Sequence, residues 1–428
     1  MMDKWIEVKL SDIGKTYSGL SNKSAKDFGY GKDYIPYLNI YNNSKVNINF
    51  FEKVNIKKRE NQNKVKYGDI FFTTSSETPD EVGMSSVLLD EVNEVYLNSF
   101  CFGFRLNDFN TLRPEFARYY FRGMGFRKQM NYLAQGSTRY NLSKVALLKY
   151  KAILPTIPEQ SKIAEILTTI DDAIEQTEKI IAKYRRIKQG LLQDLLTKGI
   201  DENGNIRSEA THKFKDSPLG RIPVEWEIKS FFDVCSVING RAFKPEEWSE
   251  QGLPIVRIEN LNNNNAKYNY CNFRVPNKYY IDNGELLLSW SGTPGTSFGV
   301  FIWNRGKAIL NQHIFIVKIK HCIRKEFFYY YYNHVVLDEM IRQSHGGVGL
   351  QHVTKEDLKR INFVVPKIEE QERVIQIAKT IDDSIETEKK YLSKLKSIKQ
   401  GLMQDLLTGK VRVTHLLDKG GKSDECHP

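Results

Sequence analysis

Four short polar stretches hold the side chains of this 428-residue chain best suited to grip a ligand by hydrogen bonds. Ser75, Ser76 and Thr78 stand in "YGDIFFTTSSETP", and Ser289, Ser291 and Thr293 in "NGELLLSWSGTP". Later, "QGSTRYNLSK" carries Ser137, Thr138, Arg139, Tyr140 and Asn141, and "HGGVGLQHVTK" carries Gln351 and His352. Short hydroxyls suit phosphate oxygens and base edges. Arginine matches guanine, and asparagine or glutamine matches adenine, because their donors and acceptors fit the base edge in pairs. These types point to holding a nucleic acid rather than to making or breaking bonds. Plain turn chemistry is the alternative for any one of them.

Signs of catalysis are sparse. No GxxxxGK[ST] loop cradles phosphates, and the glycines of Gly346–Gly349 lack the spacing and preceding strand of a dinucleotide site. No Asn/Asp-Pro-Pro-aromatic segment of the kind that holds a flipped base occurs. Asp171–Asp172 and Asp382–Asp383 look like acidic pairs, but they lie in helical stretches. There a solvated helix face or a partner contact is the expectation. Cys101, Cys235, Cys271, Cys322 and Cys426 are scattered and read as reduced thiols. His321 beside Cys322 and Cys426 beside His427 are adjacent pairs with no second pair nearby, so no metal site is expected. "MMDKWIEVKL" has no apolar signal core and no stretch approaches the ~20 apolar residues of a membrane helix, so a cytoplasmic protein is expected.

The elements that position the loops come from an internal repeat. "EQSKIAEILTTIDDAIEQTEKIIAKYRRIKQGLLQDLLT" (159–197) aligns without a gap to "EQERVIQIAKTIDDSIETEKKYLSKLKSIKQGLMQDLLT" (370–408), 211 positions later, with about half of the positions identical. Ile163, Leu167, Ile170, Ile174, Ile181, Tyr184, Leu191 and Leu195 follow steps of three and four, with gaps at Thr177 and Lys188. Val374, Ala378, Ile381, Ile385, Leu392, Leu395, Leu402 and Leu406 repeat the seam, with gaps at Glu388 and Lys399. Such a seam predicts a helix that packs along its length. Two matching seams favour pairing with each other over pairing with a partner, as antiparallel rods of ~58 Å at 1.5 Å per residue.

The regions ahead of each rod also correspond. Each runs through a tryptophan-led start (Trp5, Trp226), a Gly-acid turn into an apolar strand, a second strand, aromatic helical patterns and a glycine-containing polar loop. The expected class is α+β: two similar domains in tandem, each followed by a long helix, the helices forming an antiparallel coiled-coil spacer with pseudo-two-fold symmetry. The expected boundaries are 1–157 and 223–368 for the domains, 158–197 and 369–408 for the helices, 198–222 for a polar linker and 409–428 for a tail. Net charge is +11, yet the rods hold six basic against seven acidic residues (158–197) and seven against eight (369–408). The positive excess therefore belongs to the domains, which suits a polyanion partner. Scaffolds that share turns and strands but differ in their loops suit reading two different things.

The order domain–rod–domain–rod, with "PEQSKIAEILTTIDDAIE…IKQGLLQDLLTKG", "EEQERVIQIAKTIDDSIE…IKQGLMQDLLTGK", "YGDIFFTTS", "NGELLLSWSGTPG" and "DSPLGRIPVEWEI", resembles the specificity subunit of type I restriction–modification enzymes over nearly the whole chain. The resemblance implies two target recognition domains, each reading one half of a bipartite double-stranded DNA target. It implies rods that set half-site spacing and dock methyltransferase subunits, usually two, with translocating nuclease subunits joining. S-adenosylmethionine and ATP would then sit on the partners, and this chain would carry no cofactor and do no chemistry. Readers on one face of B-DNA would stand about one helical turn, roughly 34–36 Å, apart. Two rivals stay open: a stand-alone DNA methyltransferase or nuclease with a recognition module, and an assembly scaffold that binds DNA without reading it.

Overall fold

The computed structural model describes residues 5–134, 136, 139–292, 297–343, 345–347 and 350–417. Helices and strands mix throughout, and the chain divides into two compact units. One combines Met1–Glu178 with Lys390–Pro428; the other is Lys179–Lys389. The division cuts both long helices, so each unit owns one globular half and a stretch of either helix.

In the first unit a four-stranded antiparallel sheet runs in the spatial order Gly14–Ser18, Cys101–Leu106, Ile70–Thr73, Ser85–Val87. Side-chain alternation explains why "IFFT" forms a strand. Ile70 and Phe72 point into the main core with Phe102, Phe104 and Phe116, while Phe71 points to the opposite core with Ile35 and Leu97. A smaller sheet of Glu52–Val54, Phe28–Ile35 and Tyr96–Leu97 lies in that second layer. The second unit repeats the plan. Its main sheet is Cys235–Asn239, Ile314–Ile319, Leu286–Ser289, Gly299–Ile302, and Leu286 and Leu288 face one core while Leu287 faces the other.

The long helices span Ile157–Thr197 and Ile368–Leu407. Gly199 (φ +67°) and Gly409 (φ +73°) follow them in the left-handed conformation that closes helix C-termini. Within each unit the two helical stretches run antiparallel. In the first, Lys399 bonds Asp171 at 2.5 Å and Lys396 bonds Glu178 at 2.7 Å. In the second, Lys188 bonds Asp382 at 2.5 Å and the amide of Ile200 donates to Glu370 at 3.0 Å. The Lys188–Asp382 and Lys399–Asp171 pairs are the same contact 211 positions apart. Every seam residue is buried or half-buried.

Two of the four seam gaps, the lysines, are therefore joints between the helices. Lys188 and Lys399 face the seam and meet aspartates of the other helix, a polar device that fixes register. This corrects the expectation for the acidic pairs. Asp171 also accepts from Arg118 (2.7 Å) and Tyr119 (2.9 Å), and Asp382 accepts from Tyr330 (2.8 Å). Only Asp172 and Asp383 are solvent-facing.

The helix starts are anchored alike. Gln160 donates to the carbonyls of Thr111 and Pro155 and accepts from the Arg113 amide, each at 2.9 Å. Gln371 does the same with Cys322, Pro366 and Arg324. Beside them, buried Glu159 takes two bonds from Arg412 at 2.7 Å, and buried Glu370 takes both arms of Arg207. The segment 198–222 is thus no free linker: Ile200, Arg207 and Ile222 are buried, and Phe214–Lys215 pairs with Ile222–Pro223. The start of the expected tail also packs, through Arg412 and Val413. Residues 418–428, with Cys426 and His427, lie outside the described residues.

Candidate nucleic-acid interface

In both units the early Ser/Thr loop and the late polar loop meet. Ser75–Ser76 pairs antiparallel with Tyr140–Asn141, setting Tyr140 opposite Ser76 and Asn141 opposite Ser75. The Leu142 amide extends the ladder to the Thr74 carbonyl at 2.8 Å. Ser291–Gly292 pairs with Leu350–His352, and the Val353 amide extends that ladder to the Trp290 carbonyl at 2.9 Å. Residues 59 or more positions apart in sequence thus sit side by side, on equivalent scaffolds. Lys144 and Lys355, 211 positions apart, follow directly. The Lys144 ammonium reaches the Ser18 hydroxyl at 2.5 Å, and that of Lys355 lies 6.0 Å from the Phe315 ring centre.

The side chains on the scaffolds differ. In the first unit an open cleft of about 620 Å³ is lined by Tyr37, Leu38, Tyr41, Glu81, Phe100 and Arg139 around Ser75 and Ser76. Tyr37 and Tyr41, four apart on the helix Tyr37–Asn42, stack at 6.0 Å and 17°. The Tyr37 hydroxyl donates to the Ser75 carbonyl at 3.1 Å. Arg139 donates from Nε to the Ser75 hydroxyl at 3.2 Å, and its guanidinium carbon lies 5.9 Å from the centre of the exposed Phe100 ring. Glu81 accepts from Tyr41 at 2.6 Å and Ser76 at 2.8 Å. These hydroxyls, with that of Thr78, hold its carboxyl below the usual carboxylate range.

The second unit presents an aromatic–imidazole cluster instead. Trp290 stacks on Phe315 at 5.5 Å and lies 5.0 Å from His313 and 6.0 Å from His352. The Ser291 hydroxyl and His352 Nδ1 are 2.7 Å apart. His313 occupies the left-handed region at φ +72°, a conformation unusual outside glycine that often marks a functional position. Burial, then the neighbouring His352, holds its imidazole below the ordinary histidine range. Trp290 Nε1 and His313 Nδ1 are buried without a hydrogen-bond partner among the described residues.

A family description, the type I restriction modification DNA specificity domain, matches residues 2–184 and again 223–397. The chain belongs to this type I specificity family. It is 27% identical over 434 residues to the putative type I restriction enzyme MjaX specificity subunit of Methanocaldococcus jannaschii, covering 96% of this chain and 94% of that one. It is 20% identical over 452 residues to the StySPI specificity subunit of Salmonella potsdam, covering 97% and 94%. Two solved structures share the fold. The S subunit of the type I restriction–modification system of M. genitalium superposes with a TM-score of 0.54 (16% identity, 95% of this chain and 97% of that one). A chain from a type I restriction–modification structure described for complex assembly and conformational transition gives 0.59 (15% identity, 95% and 98%).

On this specificity-family scaffold the sequence-chosen residues fare unequally. Ser76, Thr78, Arg139 and Asn141 reach the cleft side or solvent, and His352 joins the second cluster, whereas Tyr140 is half-buried and packs against the main core of the first unit. Ser75 is buried and acts through its carbonyl and hydroxyl. Ser289 is a correction: it is fully buried, its hydroxyl turned to the Ser291 carbonyl at 3.4 Å, because strand alternation points it inward. Gln351 lies on the paired strand opposite Gly292. Ser137, Thr138 and Thr293 lie outside the described residues.

Residue-type reasoning missed Tyr37, Tyr41, Glu81, Phe100, Trp290 and His313. The i, i+4 tyrosines of "IPYLNIYN" carried a helical signal. Aligning "LNSFCFGF" with "LNQHIFIV" sets Phe100 against His313, a loop-end exchange inside an otherwise apolar correspondence.

Proposed function

We propose that this chain is the sequence-specific DNA-binding subunit of a type I restriction–modification complex, each recognition domain reading one half of a bipartite target. The carrying observation is the duplicated antiparallel ladder, 75–76 with 140–141 and 291–292 with 350–352, bearing different chemistry. Carboxylate, arginine and tyrosines line one; histidines and a tryptophan line the other. Equal scaffolds keep equal poses on DNA, and unequal side chains specify unequal half-sites.

The helices supply spacing and docking. Ile180 and Ile187 on the first are exposed, seven residues apart on one helix face, and so are their repeat counterparts Tyr391 and Ile398 on the second. Two matching apolar faces suit two copies of one partner, the methyltransferase subunit, with translocating nuclease subunits joining that core. S-adenosylmethionine and ATP belong to those partners, and this chain is the non-catalytic, cytoplasmic reader. Among the described residues no helix is long and apolar enough to cross a membrane.

Single-molecule methylation mapping of cells with the gene intact and deleted tests the reading. The expected result is a split motif, two specified blocks around a fixed unspecified run, that vanishes on deletion. An active methyltransferase complex containing this chain that marks no split motif refutes it.

A further inference from the structure

Glu81 is out of place on a surface that meets a polyanion. It ends the short 3₁₀ turn Pro79–Glu81 at the mouth of the first-unit cleft. Its two oxygens are held by hydroxyls, Tyr41 at 2.6 Å and Ser76 at 2.8 Å, and no cation lies within ion-pair distance of it among the described residues. Hydroxyl donors keep it ionised at neutral pH. An unpaired carboxylate near phosphates is repelled. A carboxylate has about four acceptor sites, and the hydroxyls of Tyr41, Ser76 and Thr78 engage three of them, so one acceptor site is left without a donor. In the major groove the donors that can fill it are the exocyclic amino groups of adenine and cytosine.

The surroundings fit a base edge. The stacked Tyr37–Tyr41 pair and Phe100 wall the cleft, and Arg139, beside Phe100 and Ser75, keeps the donors of its terminal nitrogens for a guanine edge. Arginine and glutamate share the cleft without pairing to each other, so both stay available. The second domain has Asn262 where the first has Tyr41, by alignment of the helices Ile258–Asn262 and Tyr37–Asn42, so the hydroxyl that fixes the carboxylate is particular to the first domain.

We infer that Glu81 is a specificity-determining residue, its carboxylate accepting the exocyclic amino group of one adenine or cytosine in the half-site read by the first domain. The inference rests on the reading of function above and deepens it by assigning a residue and a base chemistry.

The test uses the full chain assembled with its methyltransferase subunits and a randomised duplex DNA library, with bound and unbound pools sequenced. Wild type is expected to select a split motif. Glu81→Gln, which replaces one acceptor by a donor, should lose between about fivefold and a hundredfold of discrimination at one base pair of one block. That base pair should present an adenine or cytosine amino group, and the other block should be unchanged. Tyr41→Phe, which keeps the carboxylate but loosens it, should lose part of the discrimination at the same base pair, and it serves if Glu81→Gln fails to fold. Uniform weakening with every base preference intact, or no change, overturns the inference while leaving the two-domain reading standing. A wild-type complex that selects no split motif overturns both.

Discussion

Replacing Glu370 by glutamine should unfold the second unit far more readily than its polar character and its place near a helix start imply. The side chain is 6% exposed, and Arg207, its partner, is 10% exposed. Four donors converge on the carboxylate: both arms of Arg207, the Ile200 amide at 3.0 Å and Trp226 Nε1 at 3.2 Å. Removing one member of a buried ion pair leaves the other charge uncompensated and costs about 3–5 kcal/mol. Glutamine also turns an amide donor toward donors. With a urea slope of about 2 kcal/mol/M, the loss moves the unfolding midpoint of this unit by roughly 2 M. Tryptophan fluorescence reads it directly, since Trp226 touches the carboxylate. Glu159→Gln is the internal control. Its partner Arg412 is 28% exposed and can recover hydration, so the cost should fall to about 1–3 kcal/mol. The double variant Arg207→Met with Glu370→Met should lie within about 2 kcal/mol of wild type, because no charge is left stranded. The reasoning fails if Glu370→Gln costs less than about 1 kcal/mol, or no more than Glu159→Gln.

Three further outcomes are expected. DNA affinity should fall linearly on a logarithmic salt scale, and Lys144→Ala and Lys355→Ala should each lower the slope by about one with the selected motif unchanged, as titrations at several salt concentrations would show. Burial depresses the imidazoles of His313 and His334, so the folded second unit prefers them neutral. Their contribution is complete above the ordinary histidine range and is lost as pH falls through it, so urea midpoints should drop between about pH 7 and 5, and less so in His313→Asn, a residue that tolerates the left-handed backbone. Ile187→Glu with Ile398→Glu should abolish co-purification with the methyltransferase subunit while changing stability by less than about 0.5 kcal/mol per site, since both side chains are exposed.

The long helices were legible because a heptad seam is a local property: each residue's face follows from its position along 3.6 residues per turn. The helices begin and end within one residue of the boundaries read from sequence. The Ser/Thr loop and the late polar loop were also visible as turn-rich, hydroxyl-bearing stretches, and their differences between halves were plain. What periodicity could not carry was burial of charge. Glu159, Glu370 and Arg207 are residues normally left in water, and they are inside only because a partner from a distant stretch reaches each one. The segment 198–222 looked like a linker for the same reason: its polar composition hides Ile200, Arg207 and Ile222, which pack only when the second helix start arrives.

By itself the sequence determined two copies of a domain and a helix, and a pairing surface on each helix. Those are encoded in repetition and in period, and neither needs a neighbour. Tertiary structure alone decided which loops meet and what chemistry they make together. Glu81, Tyr41 and Arg139 are 40 to 98 positions apart, and Trp290, His313 and His352 are 23 to 62 apart. Strand register brings each set to one place, and register is fixed by which face of a strand must be buried, a condition that exists only once the sheet has formed.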